Sequence, residues 1–211
     1  MKKDTCYAMA SVVYTVMFVE AYINELFCRA RFEVKNKFFG NLDSNIVSRL
    51  ANFWEIDMKT PTQEKPRNYR ILDALKPNIL DKYQLALLTV SDKKLFDRGE
   101  YLYQRIEILI NLRNAIVHYK PEPWGDDIEK SEESSREKVR KNLEGKFKEN
   151  PFAEGVQNPF FPDKCFGYGC AKWAVNSSVE FIEEFSKKMG LKLYDEWFQE
   201  AKRLPEAIKV F

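Results

Sequence analysis

An all-α fold is what this chain predicts, and three observations predict it. Apolar residues recur at three- and four-residue steps, no run alternates apolar and polar residues, and only 8 of the 211 residues are glycine. Side chains repeat every 3.6 residues on a helix and every two on a strand, so the first pattern selects helices and the missing second disfavours sheet. At 45% hydrophobic and 14% aromatic the chain has ample material for a core. Its length suits a single domain over residues 1–211, with 121–168 as an insertion or loop region between core helices.

The first helix is expected from about Asp4 to about Lys37, with Met9, Val12, Val16, Val19, Ile23, Leu26 and Phe27 on one side. Its start, Met1-Lys2-Lys3 before an apolar run, superficially looks like a signal peptide. Asp4 is out of place in such a leader, and no small-residue cleavage site follows. The run Tyr7 to Val19 is too short for a bilayer span. A cytoplasmic protein without a membrane segment is the expectation.

Gly40-Asn41 is read as the stop of this helix, and Asp43 or Ser44 as the cap of a second one running through Phe53. Met58 to Asn68, with Pro61 and Pro66, reads as a loop. Pro77 opens a helix carrying Leu80, Leu85, Leu87 and Leu88. Asp97 is the expected cap of the next, about Arg98 to Lys120, which Pro121 and Pro123 end. Residues 126–150 hold eight acidic and seven basic residues, with Glu132–Arg136, Glu137–Lys141 and Glu144–Lys148 spaced i,i+4. Such a stretch reads as solvated and as an insertion. A Pro/Phe/Gly loop follows, then a strong helix from about Ala171 to Met189 and a short one carrying Tyr194, Trp197, Phe198 and Ala201.

With 34 basic and 32 acidic residues the net charge is only +2, so bulk electrostatics do not mark a nucleic-acid binder. Any such affinity needs a local patch, for which Lys35, Lys37, Arg67, Arg70, Lys93, Lys94 and Arg98 are candidates; a solvated surface explains them equally. Cys6, Cys28, Cys165 and Cys170 lack metal-ligand spacing and read as buried reduced thiols.

The chemistry-bearing segment is Ile110 to Tyr119, which holds the only histidine, His118, five residues after Arg113. Turning the helix about 100° per residue puts Glu107, Asn111, Asn114 and His118 on one polar stripe. Leu102, Ile106, Leu109, Ile110, Leu112, Ile116 and Val117 form an apolar arc, and Arg113 falls in its middle. A guanidinium facing a core must be paired or must reach a cleft. One reading is a structural ion pair with Glu20 of the first helix, with Asn24 a turn further on. His118 likewise reads either as a helix-end cap or as a catalytic group. An imidazole moves protons near neutral pH, and a fixed cation stabilises a developing phosphorane, so together they suffice for RNA cleavage.

Arg113-Asn114-Ala115-Ile116-Val117-His118, at the end of an apolar helix and followed by proline, resembles the R-x(4–6)-H motif of HEPN domains. Val19 to Leu26 is similar to the acidic-plus-asparagine helix of many members, and Trp173 to Phe185 to their last core helix. The likeness covers about two thirds of the chain and omits the charged insertion. It implies an all-α, up-and-down HEPN-like bundle with a charged insertion before the last core helix. It also implies a metal-independent endoribonuclease, without cofactor, that acts as a homodimer with a composite active site. His118 would be the acid/base, Arg113 the phosphate clamp, Asn114 the orienting group, Glu20 the support of Arg113, with Asn24 beside it. RNA would be the substrate, the context a toxin or antiviral defence, and a cognate antitoxin or regulatory protein a further partner. The implied products carry 2′,3′-cyclic phosphate and 5′-hydroxyl ends.

Members silenced by nucleotide transfer carry a tyrosine two residues after the histidine. Here Tyr119 follows His118 directly and Lys120 takes the second place, so that mechanism is not expected. Two other readings stand beside the enzyme: a catalytically inactive HEPN-like RNA-binding or dimerisation module, and an unrelated helical scaffold.

Overall fold

Helices make up the regular structure among the described residues, with no strand, as the periodicity predicts. The computed structural model describes residues 3–32, 39, 42–58, 78–91, 94–118, 135–153, 155 and 158–191. In chain order these form α1 (Lys3–Phe32), α2 (Ser44–Met58), α3 (Ile79–Val90), α4 (Tyr101–Val117) and α5 (Ser135–Leu143). A 3₁₀ turn (Pro151–Ala153), a π turn (Phe160–Lys164) and α6 (Tyr168–Met189) complete it. Several expectations lie outside the described residues. They are the basic candidates Lys35, Lys37, Arg67, Arg70 and Lys93, the Gly40-Asn41 stop, the Pro61/Pro66 loop, Pro77, Tyr119, Lys120, Pro121, Pro123, residues 126–134 of the charged stretch and the helix carrying Trp197.

Helix ends follow local chemistry. Asp43 precedes α2, and its Oδ1 accepts the Asn45 backbone N–H at 2.7 Å. Asn78, rather than a proline, caps α3 by accepting the Asp81 backbone N–H at 2.9 Å. The start of α4 departs from expectation. Arg98-Gly99 form a turn and Glu100 stands at the cap position without a side-chain bond, so the helix begins at Tyr101 rather than at Arg98. Gly190, at φ 79°, ends α6: its N–H bonds the Lys187 carbonyl at 3.2 Å while the Leu191 N–H reaches the Ser186 carbonyl at 2.9 Å.

The chain divides into two compact units, each with its own interior. Of the described residues, the first takes α1 up to Phe18 together with Arg98–Phe181; the second takes the rest of α1 and the chain to Asp97 together with Ile182–Leu191. In the first, buried side chains include Val12, Val16, Ile106, Leu109, Leu112, Leu143, Phe166, Trp173 and Phe181. The charged segment is not merely solvated. Helix α5 packs on α4, Leu143 is 1% exposed, and Phe147 lies against Trp173 with ring centroids 5.6 Å apart. Asn150 ties the following turns together. Its Nδ2 donates to the Phe166 carbonyl at 3.0 Å and the Asp163 carbonyl at 3.3 Å, while its Oδ1 accepts the Phe152 N–H at 3.1 Å.

In the second unit Ile23, Leu26, Leu50, Tyr83, Leu87, Ile182 and Phe185 are fully buried, each apolar side chain contributing about 1.5–3 kcal/mol. The Tyr83 ring meets Phe185 edge-on at 4.6 Å, and its hydroxyl donates to the Val19 carbonyl at 2.6 Å. Tyr22 also contacts Phe185, and its hydroxyl shares a 2.8 Å hydrogen bond with Ser186.

Two expectations change in detail. Cys165 and Cys170 are buried free thiols, but Cys6 is exposed and Cys28 only half-buried. The apolar run Tyr7 to Val19 is by itself too short to cross a bilayer, but the helix that carries it, Asp4–Phe32, is long and apolar enough to cross one by length and composition. Its Val12, Val16, Val19, Ile23 and Leu26 are nonetheless covered by protein.

Candidate active site on the arginine–histidine helix

Helix α4 carries the candidate residues at its C-terminal end. Val117 is its last helical residue, and His118, at φ −108° and ψ 38°, turns out of the helix. The His118 backbone N–H still bonds the Asn114 carbonyl at 2.8 Å, so the residue stands at a defined place one turn above Asn114. It is therefore a cap through its backbone, and its imidazole is exposed.

The polar stripe is exposed as the helical wheel requires: Glu107, Asn111 and His118 face solvent and Asn114 is half-buried. Arg113 is half-buried, with its Nε enclosed by protein. Arg113, Asn114 and His118 thus share one helix end, about 7.5 Å of helix axis separating the first from the last.

Glu20 and Asn24 lie one turn apart on α1 and belong to the second unit, whereas Arg113, Asn114 and His118 belong to the first. Glu20 is half-buried. Asn24 serves a neighbour within its own unit, its Oδ1 accepting from Nζ of the buried Lys82 at 3.0 Å.

The arginine most deeply placed on α4 is one that sequence reasoning passed over. Arg105 is only 8% exposed. Its Nε donates to Ser177 Oγ at 3.1 Å and its Nη1 to Glu180 Oε2 at 2.5 Å, while the guanidinium lies 5.2 Å from the Tyr101 ring centroid. Ser177 Oγ passes the chain on, donating to the Trp173 carbonyl at 2.6 Å. Through these two hydrogen bonds Arg105 ties α4 to α6. The signal was present in the sequence, because Arg105, Leu109 and Leu112 share one i, i+4, i+7 row. Lys82 was missed for the same reason: a long polar side chain on an apolar row reads as exposed until its partner is known.

Of the other titratable groups, the Cys170 thiol beside Cys165 and burial together hold the Cys165 thiol far above its ordinary range. Such a thiol is a poor nucleophile. Among the described residues no three His, Cys, Asp or Glu side chains gather as a metal site.

Chemically, the end of α4 offers an exposed imidazole, a carboxamide one turn below it and a guanidinium partly drawn into the protein. That set can exchange a proton and hold an anion. Comparison with protein-family models, with characterised proteins and with solved structures finds no match to this chain.

Proposed function

We propose that this chain is a metal-independent endoribonuclease of the HEPN type, acting in toxin or phage-defence biology. The observation that carries the reading is the exposed imidazole of His118 held by the helix end one turn above Asn114, with Arg113 in the same turn. In this reaction a base removes the proton of the RNA 2′-hydroxyl, and the 2′-oxygen attacks the adjacent phosphorus. The bond to the 5′-oxygen breaks, and an acid protonates that oxygen as it leaves. The ends are a 2′,3′-cyclic phosphate and a 5′-hydroxyl. Imidazole is suited to both proton transfers, and a guanidinium suits the added charge on the phosphorane oxygens. One chain supplies one imidazole, so a second copy contributes the other.

The test is incubation of the purified full-length chain with end-labelled single-stranded RNA in EDTA, beside His118→Ala and Arg113→Ala. Cleavage by the wild type alone, with cyclic-phosphate ends, supports the enzyme. Wild-type cleavage that survives both substitutions overturns this site.

The half-burial of Arg113 favours a second reading, an inactive HEPN-like binding or dimerisation module in which the motif is structural. Intact RNA together with a large melting-temperature loss in Arg113→Ala selects that module.

A further inference from the structure

The charged insertion lies outside the HEPN likeness, and its charge is not evenly spread. Five of its eight carboxylates, Asp126, Asp127, Glu129, Glu132 and Glu133, come before Arg136. From Glu137 to Glu149 the balance turns, with five basic residues against three acidic. Two of those three, Glu137 and Glu144, are already bonded by Arg140. Lys146 and Lys148 beyond them are exposed.

Two large rings stand beside this basic end. Phe152 is 64% exposed and Tyr168 is 44% exposed. Lys172, one turn into α6, sets its Nζ 6.0 Å from the Tyr168 ring centroid. Lys148 is brought to the same place by its backbone, which lies against Gly169. The Lys164 carbonyl accepts the Asn150 N–H at 2.8 Å. Asn150 is the pivot between the rings: its Oδ1 holds the Phe152 N–H, and a Cβ on Gly167 would lie 3.0 Å from its Cα. At 3.8 Å per residue step, these contacts keep the Cα atoms of Phe152 and Tyr168 within about 16 Å of one another.

We infer that Phe152 and Tyr168, with Lys148, Lys164 and Lys172, form an accessory surface for single-stranded RNA, the rings stacking on bases and the ammonium groups meeting phosphates.

The chemistry of the surface selects that occupant. A single strand carries one planar ring and one anion in every repeat unit, and exposed rings interleaved with cations are their complement. An acidic peptide calls for the cations but not the rings. A duplex keeps its bases stacked inside and offers the rings no face. A lipid surface takes rings and cations together, but Glu149 and Asp163 stand among them and would have to enter the interface as well. Against RNA those two carboxylates leave a surplus, because Lys146, Lys148, Lys164 and Lys172 outnumber them.

The surface is also built in advance. Asn150 is 6% exposed, and its hydrogen bonds fix the turn that carries Phe152. Tyr168 stands on the first turn of a 22-residue helix. Rings held this way lose little freedom when a base stacks on them. Helix α5 packs on α4, so the surface belongs to the same unit as Arg113, Asn114 and His118. The inference rests on the ribonuclease reading for the fate of the bound strand alone, since binding is measured without cleavage.

The experiment is fluorescence anisotropy of a labelled single-stranded RNA of about 12 nucleotides. It is titrated in EDTA with the full-length chain carrying His118→Ala, so that the strand stays whole. Adding Phe152→Ala or Tyr168→Ala is expected to weaken binding about 5- to 100-fold each, with the melting temperature unchanged. Phe152→Tyr and Tyr168→Phe, which keep a ring, should retain it. Lys148→Ala and Lys172→Ala should each lower the slope of log affinity against log salt by about one. Should Tyr168→Ala disturb the start of α6, Phe152→Ala carries the test by itself.

No binding at micromolar protein overturns the proposal, as does binding indifferent to both ring substitutions. Polyphosphate bound as tightly as RNA reduces the surface to a patch of charge and overturns it too. Vesicles of phosphatidylcholine and phosphatidylserine that bind through the two rings, where RNA does not, make the occupant a membrane. Ring-dependent binding by a wild type that leaves RNA intact keeps this surface and removes the ribonuclease reading. Cleavage with ring-indifferent binding does the reverse.

Discussion

The Lys148 carbonyl oxygen lies against Gly169 so closely that no Cβ fits between them. Lys148 follows the end of α5 and Gly169 stands in the first turn of α6, so the contact fastens the charged segment to the last core helix. Because the obstacle is backbone, it cannot rotate aside. Gly169→Ala is therefore expected to cost about 1–3 kcal/mol through forced backbone shifts, read as a lower urea midpoint at unchanged slope. Gly145→Ala is the contrast. Nothing crowds its Cβ position, and its cost arises only from φ 76°.

Asn150 governs the same junction. Its carboxamide bonds the Phe152 N–H and the Asp163 and Phe166 carbonyls, and the residue is 6% exposed. Asn150→Ala removes all three bonds and leaves the Phe166 carbonyl without this buried partner, which costs about 1–3 kcal/mol. Asn150→Asp keeps the acceptor but turns the Nδ2 donor toward two carbonyls into a repelling oxygen, and it is expected to destabilise at least as much at pH 7. Thermal unfolding of both variants checks the ordering.

Arg105 and Glu180 predict an asymmetric pair of costs. The guanidinium side chain is 10% exposed, whereas that of Glu180 is 52% exposed, so solvent screens the carboxylate. Arg105→Ala is expected to lose about 2–3 kcal/mol, through lost packing and the lost hydrogen bonds to Ser177 and Glu180. Glu180→Gln is expected to lose about 1 kcal/mol or less. Equal losses in a denaturant titration of the two variants would contradict this account.

Alkaline pH is expected to weaken the fold. Burial raises the Tyr83 hydroxyl well above its ordinary 10.0, helped by Tyr22, and the Cys170 contact raises the Cys165 thiol above its ordinary 9.0. A raised value means that the folded state holds the proton after the unfolded state has released it. The stability is fully present below the unfolded values and is lost as pH rises through about 9 and then 10, at up to about 1.4 kcal/mol per pH unit per group. Tyr83→Phe should flatten the slope above pH 10 while removing the hydrogen bond to Val19 at every pH. Denaturant unfolding from pH 7 to 11 reads both.

On the ribonuclease reading, His118→Ala is expected to slow RNA cleavage by about 10²–10⁴-fold with little change in melting temperature, because the imidazole is exposed and the cap is made by the backbone. Arg113→Lys, which keeps the charge but loses the planar fork, should recover only part of what Arg113→Ala loses. Gel assays with both, beside melting curves, separate chemistry from folding.

Much of this was legible beforehand. The helices α1, α2, α3, α4 and α6, the exposed stripe Glu107–Asn111–His118 and the end of α4 near His118 follow from spacing and caps. The misjudged features have one cause in common. The start of α4 and the burial of the segment around Leu143 and Asn150 depend on what lies across from them. A charged stretch with i,i+4 pairs looks solvated until Phe147 meets Trp173 and Asn150 meets the Phe166 carbonyl.

What the sequence determined by itself is local: helical periodicity, the turn residues that interrupt it, and the placing of Arg113, Asn114 and His118 within about a turn and a half of one helix end. Such features follow from backbone geometry, which repeats wherever the residues do. Only the tertiary structure decided which cations are buried and what satisfies them. Arg105 and Arg113 lie on the same arc of α4, and nothing in that helix distinguishes them. The distinction comes from Ser177 and Glu180, more than seventy residues away, because a buried guanidinium is tolerated only where another element brings it hydrogen-bond acceptors.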